Sequence, residues 1–417
     1  MYDPYAEFTK SVLSNGLEVH SLYWDRPWVR VEIVVHAGGR EDPASLPGLA
    51  HLLEHIVNNN IPGKEKNLVK EFFETCGGTI NLGITHYLYT RYNFSIPRDQ
   101  ETFRTALDIL GSMLFQAKTE NYLEQQKEVI LREFRDLYPF AETFTWETSI
   151  REALFKGHRL ETYPRTPIGR PEGFLSATTL DLQTFYDMYY VPENVSLVVI
   201  GGQRTDQLIA ELEGSPFGIK KGGTRNPIPK TLQTLPLPIE NSKTVNLSEY
   251  VNYSVDRATY TARWAFPIGF PNQARRVFSK MLDKILFEET RQKRVVAYSF
   301  NSSYGDFQDV SEFQISGTIK PEAADYINEI VRECISMVSL QPDLFEKTRK
   351  GCMQRCLMHD SSGEDLADQA AIELAHDHRI ISLQETWNSL EKVTFEQMLE
   401  AVELLSSDRQ YTFITRP

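Results

Sequence analysis

The chain repeats itself at long range, and this repeat limits its fold more than any other feature. At a constant shift, residues 175–181 match residues 390–396, and the apolar segment 195–202 matches the C-terminal segment 410–417. Each half combines apolar strand patterns with amphipathic helix patterns. We therefore predict an α+β fold built from two tandem copies of one unit.

A segment rich in Gly and Pro separates the two copies. A chain of 417 residues is too long for a single hydrophobic core. Because Gly and Pro interrupt helices and strands, the densest run of both is the best domain boundary. We expect an N-terminal domain at 1–213, a linker at 214–241 and a C-terminal domain at 242–417.

One amphipathic segment of the first half carries metal-binding residue types. Four apolar residues between Leu49 and Ile56 form one stripe of a helix, whereas His51, Glu54 and His55 cluster on the opposite arc. Two histidines four residues apart on a helix can bind one zinc ion, and a neighbouring carboxylate can reach a water on that metal. The order H-x-x-E-H is the inverse of the commoner H-E-x-x-H. The alternative is a helix whose polar face carries two histidines by chance.

A later helix supplies a candidate third ligand. Residues 121–137 read as a helix in which Glu133 lies beside the apolar stripe, and a carboxylate so close to a buried face needs a partner. An isolated Glu there would be explained by a surface salt bridge, but the HLLEH motif favours a metal. The corresponding part of the second half, 273–290, has no His, and Arg355 falls near the place of Glu133. We therefore expect a metal only in the first half.

The composition excludes several other classes of function. The net charge of -13 argues against a nucleic-acid or anionic-membrane surface. No apolar run approaches the length of about 18 residues that a membrane span needs, and no N-terminal leader pattern is present. Four cysteines are too few for a disulfide scaffold in a chain of this size, so we expect a cytoplasmic protein.

These motifs together resemble the pitrilysin-type, or inverzincin, zinc peptidases, which include mitochondrial processing peptidase and small bacterial homologues. The similarity spans nearly the whole chain and rests on Gly38–Glu41, GLAHLLEH, Gly77-Gly78, KEVILREF and Tyr190–Asn194. The resemblance implies that His51, His55 and Glu133 bind one Zn²⁺ per chain and that Glu54 is the general base. It also implies that each domain is a mainly antiparallel sheet covered by helices.

Three more residues are similar to substrate-binding residues of that family. Asn81 resembles an Asn that helps to bind an extended peptide as an added strand, and the run Thr79–Pro97 is a suitable sheet edge. Arg291 and Tyr298 resemble an Arg and a Tyr that contact substrate and help to stabilise the tetrahedral oxyanion. Without the resemblance, Asn81 is explained as a turn residue, and the other two as a surface arginine and a packed tyrosine.

The sequence departs from the family pattern at three places. Gln126 stands where a glutamate that supports the metal ligands is usual. A Thr and Tyr pattern is displaced by one residue, so that Ile84 stands where a Thr is usual and Thr85 follows it. Val295 replaces a customary Gly between the substrate-binding Arg and Tyr. These departures concern rate and specificity more than the presence of the metal.

The predicted function is that of a zinc-dependent endopeptidase that cleaves peptides or short unfolded segments inside a chamber formed by two chains. By the resemblance, a chamber needs four units and one chain supplies two. We therefore expect a homodimer in which Arg291 and Tyr298 of one protomer serve the zinc of the other. Two alternatives remain: a catalytic subunit paired with a zinc-less homologue, and a non-catalytic scaffold or binding subunit.

Overall fold

The computed structural model contains two β-sheets, one in each half of the chain, with helices packed against them. It describes residues 2–59, 68–139, 141–161, 163, 166–227, 241–246, 257–266, 270–358, 362–406 and 410–417. The first sheet comprises strands β1 to β6, which span Thr9–Val12, Glu18–Tyr23, Trp28–Val35, Thr79–Thr85, Thr90–Pro97 and Val195–Gly201. The second comprises β7 to β11, which span Asn241–Asn246, Ala258–Phe266, Ala297–Asp306, Ser311–Ile319 and Gln410–Arg416.

The five strands of the second sheet have the same topology as five of the six strands of the first. The strand order is β1-β2-β6-β3-β5-β4 in the first sheet and β7-β11-β8-β10-β9 in the second. In each sheet one pair is parallel, β2 with β6 and β7 with β11, while the other pairs are antiparallel. Strands β2, β6, β3, β5 and β4 thus correspond in order to β7, β11, β8, β10 and β9. The predicted α+β class with two homologous, mainly antiparallel units is confirmed.

The first half has nine described α-helices and the second half six. In the first half, α1 to α9 span Leu49–Asn59, Leu68–Cys76, Gln100–Phe115, Leu123–Leu137, Ala141–Leu154, Pro171–Ser176, Thr179–Tyr189, Thr205–Glu213 and Pro216–Ile219. In the second half, α10 to α15 span Asn272–Leu286, Ile327–Met337, Pro342–Leu357, Gly363–Asp377, Leu383–Glu391 and Phe395–Ser406, and a π-helical turn at Phe287–Lys293 continues α10. None of the described helices has both the length and the apolar character needed to cross a membrane.

One face of each sheet is covered by helices of its own half. In the first half, the inward residues of β3, such as Val31 and Ile33, share a buried core with Leu52 and Leu53 of α1. In the second half, β8 and α10 form the corresponding core. Because successive side chains of a strand point to opposite faces, each sheet has a second face that these helices do not cover.

The other face of each sheet is covered by a helix of the opposite half. Helix α13 packs on β3 and β6, where its Ala370 and Leu374 join Val34 in one buried cluster. Helix α5 packs on β8 and β11, where Leu154 lies in a cluster with Tyr411. Because α5 and α13 hold equivalent places in the two halves, the packing is reciprocal: each half covers one face of the other half's sheet with the equivalent helix.

The beginning of the predicted linker packs on the first half. The side chain of Asn15 donates to the carbonyl oxygens of Phe217 and Lys220, at 2.7 Å each. Arg225 Nη1 lies 2.9 Å from Glu18 Oε2. Residues 228–240 of this segment lie outside the described residues, and β7 begins directly after them.

Candidate metal centre

A buried carboxylate holds the start of helix α1. Asp42 Oδ2 accepts hydrogen bonds from Gly48 N at 2.6 Å and from the Tyr163 hydroxyl at 2.8 Å, and Asp42 Oδ1 accepts one from Ala50 N at 2.8 Å. The first N–H groups of a helix have no partner within the helix, so an acceptor at this end stabilises it. Asp42 thereby fixes where the helix starts and how its polar face is turned.

The structure brings the three predicted ligands together. The nitrogens of His51 and His55 and a carboxylate oxygen of Glu133 all lie within 4.8 Å of one another. Glu133 Oε2 is 3.7 Å from His51 Nε2 and 3.6 Å from His55 Nε2. Glu133 reaches this place because α4 packs against α1. Within the described parts of the chain this is the one group of three or more such side chains close enough to share a metal.

These side chains fit a zinc ion. Ligand atoms around a tetrahedral zinc with bonds near 2.0 Å are separated by about 3.3 Å, so the observed spacings need only a small contraction. Burial lowers the pKa of His51 to about 3, and the neighbouring His55 adds to this, so the ring is in the neutral form that binds metals. The Glu133 side chain is 42% exposed, which leaves an approach from solvent.

Gln126 orients one of the two imidazoles. Its Oε1 lies 3.3 Å from His55 Nδ1, and the residue is buried. With the proton on Nδ1 directed at this oxygen, Nε2 keeps the lone pair that faces Glu133 and His51. The amide therefore fills the place where the family pattern has a carboxylate, as a neutral acceptor.

Glu54 lies beside the ligands in a restricted position. It is 5% exposed, and its Oε2 accepts a hydrogen bond of 2.8 Å from the Thr85 hydroxyl. Burial raises the pKa of the Glu54 carboxyl, whereas His55 and the bond from Thr85 act in the opposite direction. A carboxylate that is held in one orientation and little hydrated is suited to taking a proton from a water nearby.

A β-bulge on the edge strand β4 explains the displaced Thr. Asn81 pairs with Asn93 and Ile84 with Arg91, so β4 has one residue more than β5 over this interval. The extra residue reverses the alternation of side chains and turns Thr85, rather than Ile84, toward the interior. Ile84 is correspondingly 38% exposed.

Gly83 forms the wall of the site next to Glu54. A Cβ atom at this position would lie 2.4 Å from Glu54 Oε1, so any side chain here would displace the Glu54 side chain. Its N–H donates to Asn81 Oδ1 at 3.1 Å, which places the exposed Asn81 in the bulge. The side chain of Asn81 thus has a turn-forming contact, and a role in binding substrate stays a prediction.

Arg291 and Tyr298 lie in the second half, Arg291 in the π-helical turn Phe287–Lys293 and Tyr298 at the start of edge strand β9. Arg291 Nη1 donates to the Tyr298 carbonyl at 2.9 Å, and the Tyr298 side chain is 47% exposed. The contacts that the structure describes for this pair all lie in the second half, with Phe287 and Arg257 as ring partners. The structure therefore does not join the pair to the metal ligands of the same chain.

Val295 has a left-handed backbone conformation between Arg291 and Tyr298. Its φ is +52°, which is unfavourable for a β-branched residue and easy for Gly. The positive φ at this position therefore explains why Gly is customary here.

Sequence reasoning did not single out Asp42 or Gly83. A Gly inside a strand pattern is a known sign of a bulge, so Gly83 could have been found. Asp42 is six residues before Gly48 and gave no local capping pattern. Its role follows only from the fold.

Comparison with known proteins confirms the resemblance. The family model described as "Insulinase (Peptidase family M16)" matches residues 24–162, and the one described as "Peptidase M16 inactive domain" matches residues 176–351. The uncharacterized zinc protease YmxG of Bacillus subtilis is 22% identical over 338 residues, which cover 78% of this chain and 75% of YmxG. An uncharacterized zinc protease of Mycobacterium bovis is 23% identical over 414 residues, which cover 93% of this chain and 88% of that protein.

Solved structures share the fold. A putative M16-like peptidase from Alicyclobacillus acidocaldarius has a TM-score of 0.81 at 18% identity, over 99% of this chain and 98% of that one. The periplasmic protease PqqL from Escherichia coli has a TM-score of 0.79 at 15% identity and covers 98% of this chain but only 47% of its own. For pitrilysin the TM-score is 0.75 at 13% identity, over 98% of this chain and 45% of that one. By its sequence matches and its fold, the chain belongs to peptidase family M16.

Proposed function

We propose that this chain is a zinc-dependent endopeptidase that binds one Zn²⁺ through His51, His55 and Glu133. The observation that carries the proposal is the convergence of these three ligand atoms with the buried Glu54 beside them. The curated relatives named above are called zinc proteases, which supports the same activity. The second half belongs to a domain described as inactive, which agrees with a single site per chain.

The chemistry follows from the residues of the first half. A zinc ion held here would polarise the scissile carbonyl and lower the pKa of a water at its open position. Glu54 takes a proton from the attacking water and passes it to the leaving amine nitrogen. The Thr85 hydroxyl and the backbone of Gly83 keep the Glu54 carboxylate in one orientation during both transfers.

The substrate is an extended peptide that adds to the edge of the first sheet. Strand β4 is an edge strand and begins beside helix α2, with Asn81 and Ile84 exposed on it. Main-chain hydrogen bonds to such an edge bind peptides of many sequences. Asn81 would contact the peptide in addition to shaping the bulge.

We further propose that two chains form the working enzyme, with Arg291 and Tyr298 of one protomer acting at the zinc of the other. The match to PqqL and to pitrilysin covers 47% and 45% of those chains, so each of them is about as long as two copies of this one. A homodimer supplies the same amount of structure. A heterodimer with a zinc-less homologue is the competing assembly.

The first test is hydrolysis of a mixed peptide pool by the purified chain. Cleavage that stops with a chelator and in Glu54→Gln, while Glu54→Gln still holds one zinc, supports the proposal. We expect Glu133→Gln to lose the metal, with Glu128→Gln on the same helix as a matched control that retains it. A chain that binds no zinc and cleaves nothing would support the scaffold alternative.

The second test is complementation between two inactive chains. A mixed dimer of a Glu54→Gln chain and an Arg291→Ala chain contains one site with both functional residues and should regain activity. Mixed dimers that form but remain inactive would contradict the assignment across protomers. The molar mass from light scattering distinguishes a homodimer from a monomer that needs a different partner chain.

A cytoplasmic location also remains our proposal. It is supported by the cysteines, all four of which are free thiols. The related PqqL is described as periplasmic, so cell fractionation is needed to decide.

A further inference from the structure

The second half keeps the framework of the metal centre but not its ligands. Helix α10 packs against α12 as α1 packs against α4. The apolar stripe of α1 has a buried counterpart in α10, formed by Ala274, Val277, Phe278 and Met281. With the helices matched in this way, His51 and His55 correspond to Arg276 and Lys280.

The remaining residues of the site have counterparts as well. Glu54 corresponds to Ser279, whose hydroxyl lies 2.5 Å from that of Ser302 on β9, as Glu54 is bonded to Thr85 on β4. Arg355 on α12 lies near the place that Glu133 has on α4. Two imidazoles and a carboxylate are thus replaced by three cations.

The charges of all three cations act on one buried thiol. Burial raises the pKa of the Cys352 thiol, and Arg276, Lys280 and Arg355 all oppose this rise. Lys280 Nζ has a carboxylate neighbour, Asp283 Oδ2, at 3.7 Å. The side chains of Arg276 and Arg355 make no ion pair or hydrogen bond within the described part of the chain. The Arg276 residue is half-buried, and a guanidinium that is not paired with a carboxylate of the protein is available to bind a carboxylate of a ligand.

Both arginines line a cavity of about 540 Å³, which has the size of a small-molecule site. The opposite wall belongs to α13 and carries Asp365, Asp368 and Glu373. Two of these carboxylates have strong partners: Asp368 pairs with Arg91, and Glu373 accepts from Ile381 N at 2.6 Å. Asp365 accepts from the Ser362 hydroxyl at 2.7 Å.

The charges on the two walls select the kind of ligand. A carboxylate can form paired hydrogen bonds with a guanidinium, and an ammonium group is attracted to a wall of carboxylates. A phosphate dianion would be repelled by Asp365 and Asp368, whereas Glu373 is only partly ionised at neutral pH because burial raises its pKa to about 7. The fitting ligand therefore has one carboxylate and one ammonium group.

We propose that this cavity is a second ligand site, at which Arg276 and Arg355 bind the carboxylate of a free amino acid or short peptide zwitterion. The site takes the place in the second half that the metal centre takes in the first. It does not depend on zinc or on peptidase activity, so it can stand or fall separately from the proposed function.

Calorimetric titration of the 417-residue chain with glycylglycine tests the proposal. We expect binding that weakens about ten-fold or more in Arg276→Met and in Arg355→Met. Lys350→Met removes a charge from the same helix α12 outside the cavity and should leave the affinity unchanged. Any glycylglycine bound at the metal centre would persist in both arginine variants. Because Arg355 is exposed, its variant keeps the test valid if Arg276→Met fails to fold.

Three related probes decide the chemistry. N-acetylglycine lacks the ammonium group and should bind more weakly, and glycinamide lacks the carboxylate and should not bind. The proposal is overturned if glycylglycine does not bind, if both arginine variants bind it as the native chain does, or if glycinamide binds equally well. Stronger arginine-dependent binding of inorganic phosphate would likewise overturn it in favour of a plain anion site.

Discussion

At the scale of single residues, the hydroxyl of Thr85 decides how Glu54 is held. Replacing Thr85 by Val removes the hydrogen bond to Glu54 Oε2 and keeps the shape of the side chain. One such bond contributes about 1 to 1.5 kcal/mol, so we expect kcat to fall about ten-fold with KM unchanged. Thr85→Ser keeps the hydroxyl and should restore kcat. Equal zinc content in all three proteins confirms that the metal is untouched; a fall in kcat for Ser as large as for Val would contradict the role.

Gln126 sets how firmly His55 holds the metal. Changing it to Glu provides a charged acceptor for His55 Nδ1 and should slow the loss of zinc to a chelator. Gln126→Leu removes the acceptor and should speed the loss by about ten-fold or more. The release can be followed with a coloured zinc indicator, without any assay of activity. Identical rates in the three proteins would show that Gln126 does not orient the ring.

The backbone strain at Val295 can be removed by a substitution to Gly. It is 52% exposed with a φ of +52°, so Val295→Gly loses little packing and removes an unfavourable backbone conformation. We expect a gain of about 1 kcal/mol, seen as a higher midpoint of thermal unfolding. Val12, which is similarly exposed but lies in strand β1, is the control, and Val12→Gly should lower the midpoint. A lower midpoint for both variants would contradict the explanation.

At the scale of elements, the start of α1 depends on one side chain. Asp42→Ala leaves the backbone N–H groups of Gly48 and Ala50 without their acceptor in the interior, and the Tyr163 hydroxyl keeps only the longer bond of 3.2 Å to the Pro167 carbonyl oxygen. We expect a loss of about 2 to 4 kcal/mol in the free energy of unfolding. Asp99→Ala removes the exposed cap of α3 and should cost about 1 kcal/mol. Thermal unfolding of both variants without zinc checks the difference, and equal shifts would refute the special role of Asp42.

The helices whose apolar stripes are visible in the sequence could be predicted from it. The grouping of His51, His55 and Glu133 could be predicted as well, because these residues lie on two such helices. The apolar stripe of α1 fixes which way His51 and His55 point, and the side of α4 that carries Glu133 follows from the same rule. The bulge in β4 could not be fixed in this way, because one added residue exchanges the two faces of a strand. The pairing of Thr85 with Glu54 was therefore visible only in the structure.

At the scale of the whole molecule, the two halves meet at a pair of histidines. His36 at the end of β3 and His378 at the end of α13 have ring centroids 4.6 Å apart. Burial lowers the pKa of His378 to about 4, and the charges of Arg225 and Arg40 add to this while Glu18 opposes it. The folded protein thus resists protonation at a pH where the unfolded chain accepts it.

Stability should therefore decrease on acidification. Since the folded pKa of His378 lies below the unfolded value near 6.5, its contribution is present above about pH 6.5 and is lost as the pH falls toward 4. His378→Asn tolerates the same left-handed backbone, whose φ is +54°, and lacks the titrating ring. The drop in unfolding midpoint between pH 7.5 and pH 4.5 should be smaller for this variant; an equal drop would contradict the argument.

The contacts between the halves were beyond reach of the sequence. The sequence patterns of α5 and α13 do not predict that each packs on the sheet of the other half. An apolar stripe indicates that a helix face is buried, but not which surface it is buried against. The repeat predicted two units, and the structure shows that neither unit covers its own sheet completely.

This reciprocal packing has a consequence for synthesis on the ribosome. The last strand of the first sheet, β6, ends at Gly201, but the helix that covers one face of that sheet spans Gly363–Asp377. A nascent chain must therefore expose an apolar surface of this sheet until residues 363–377 have also been translated. In the cell, chaperones would have to bind that apolar surface during translation. A chain that ends before residue 363 would leave this face of the sheet exposed to solvent.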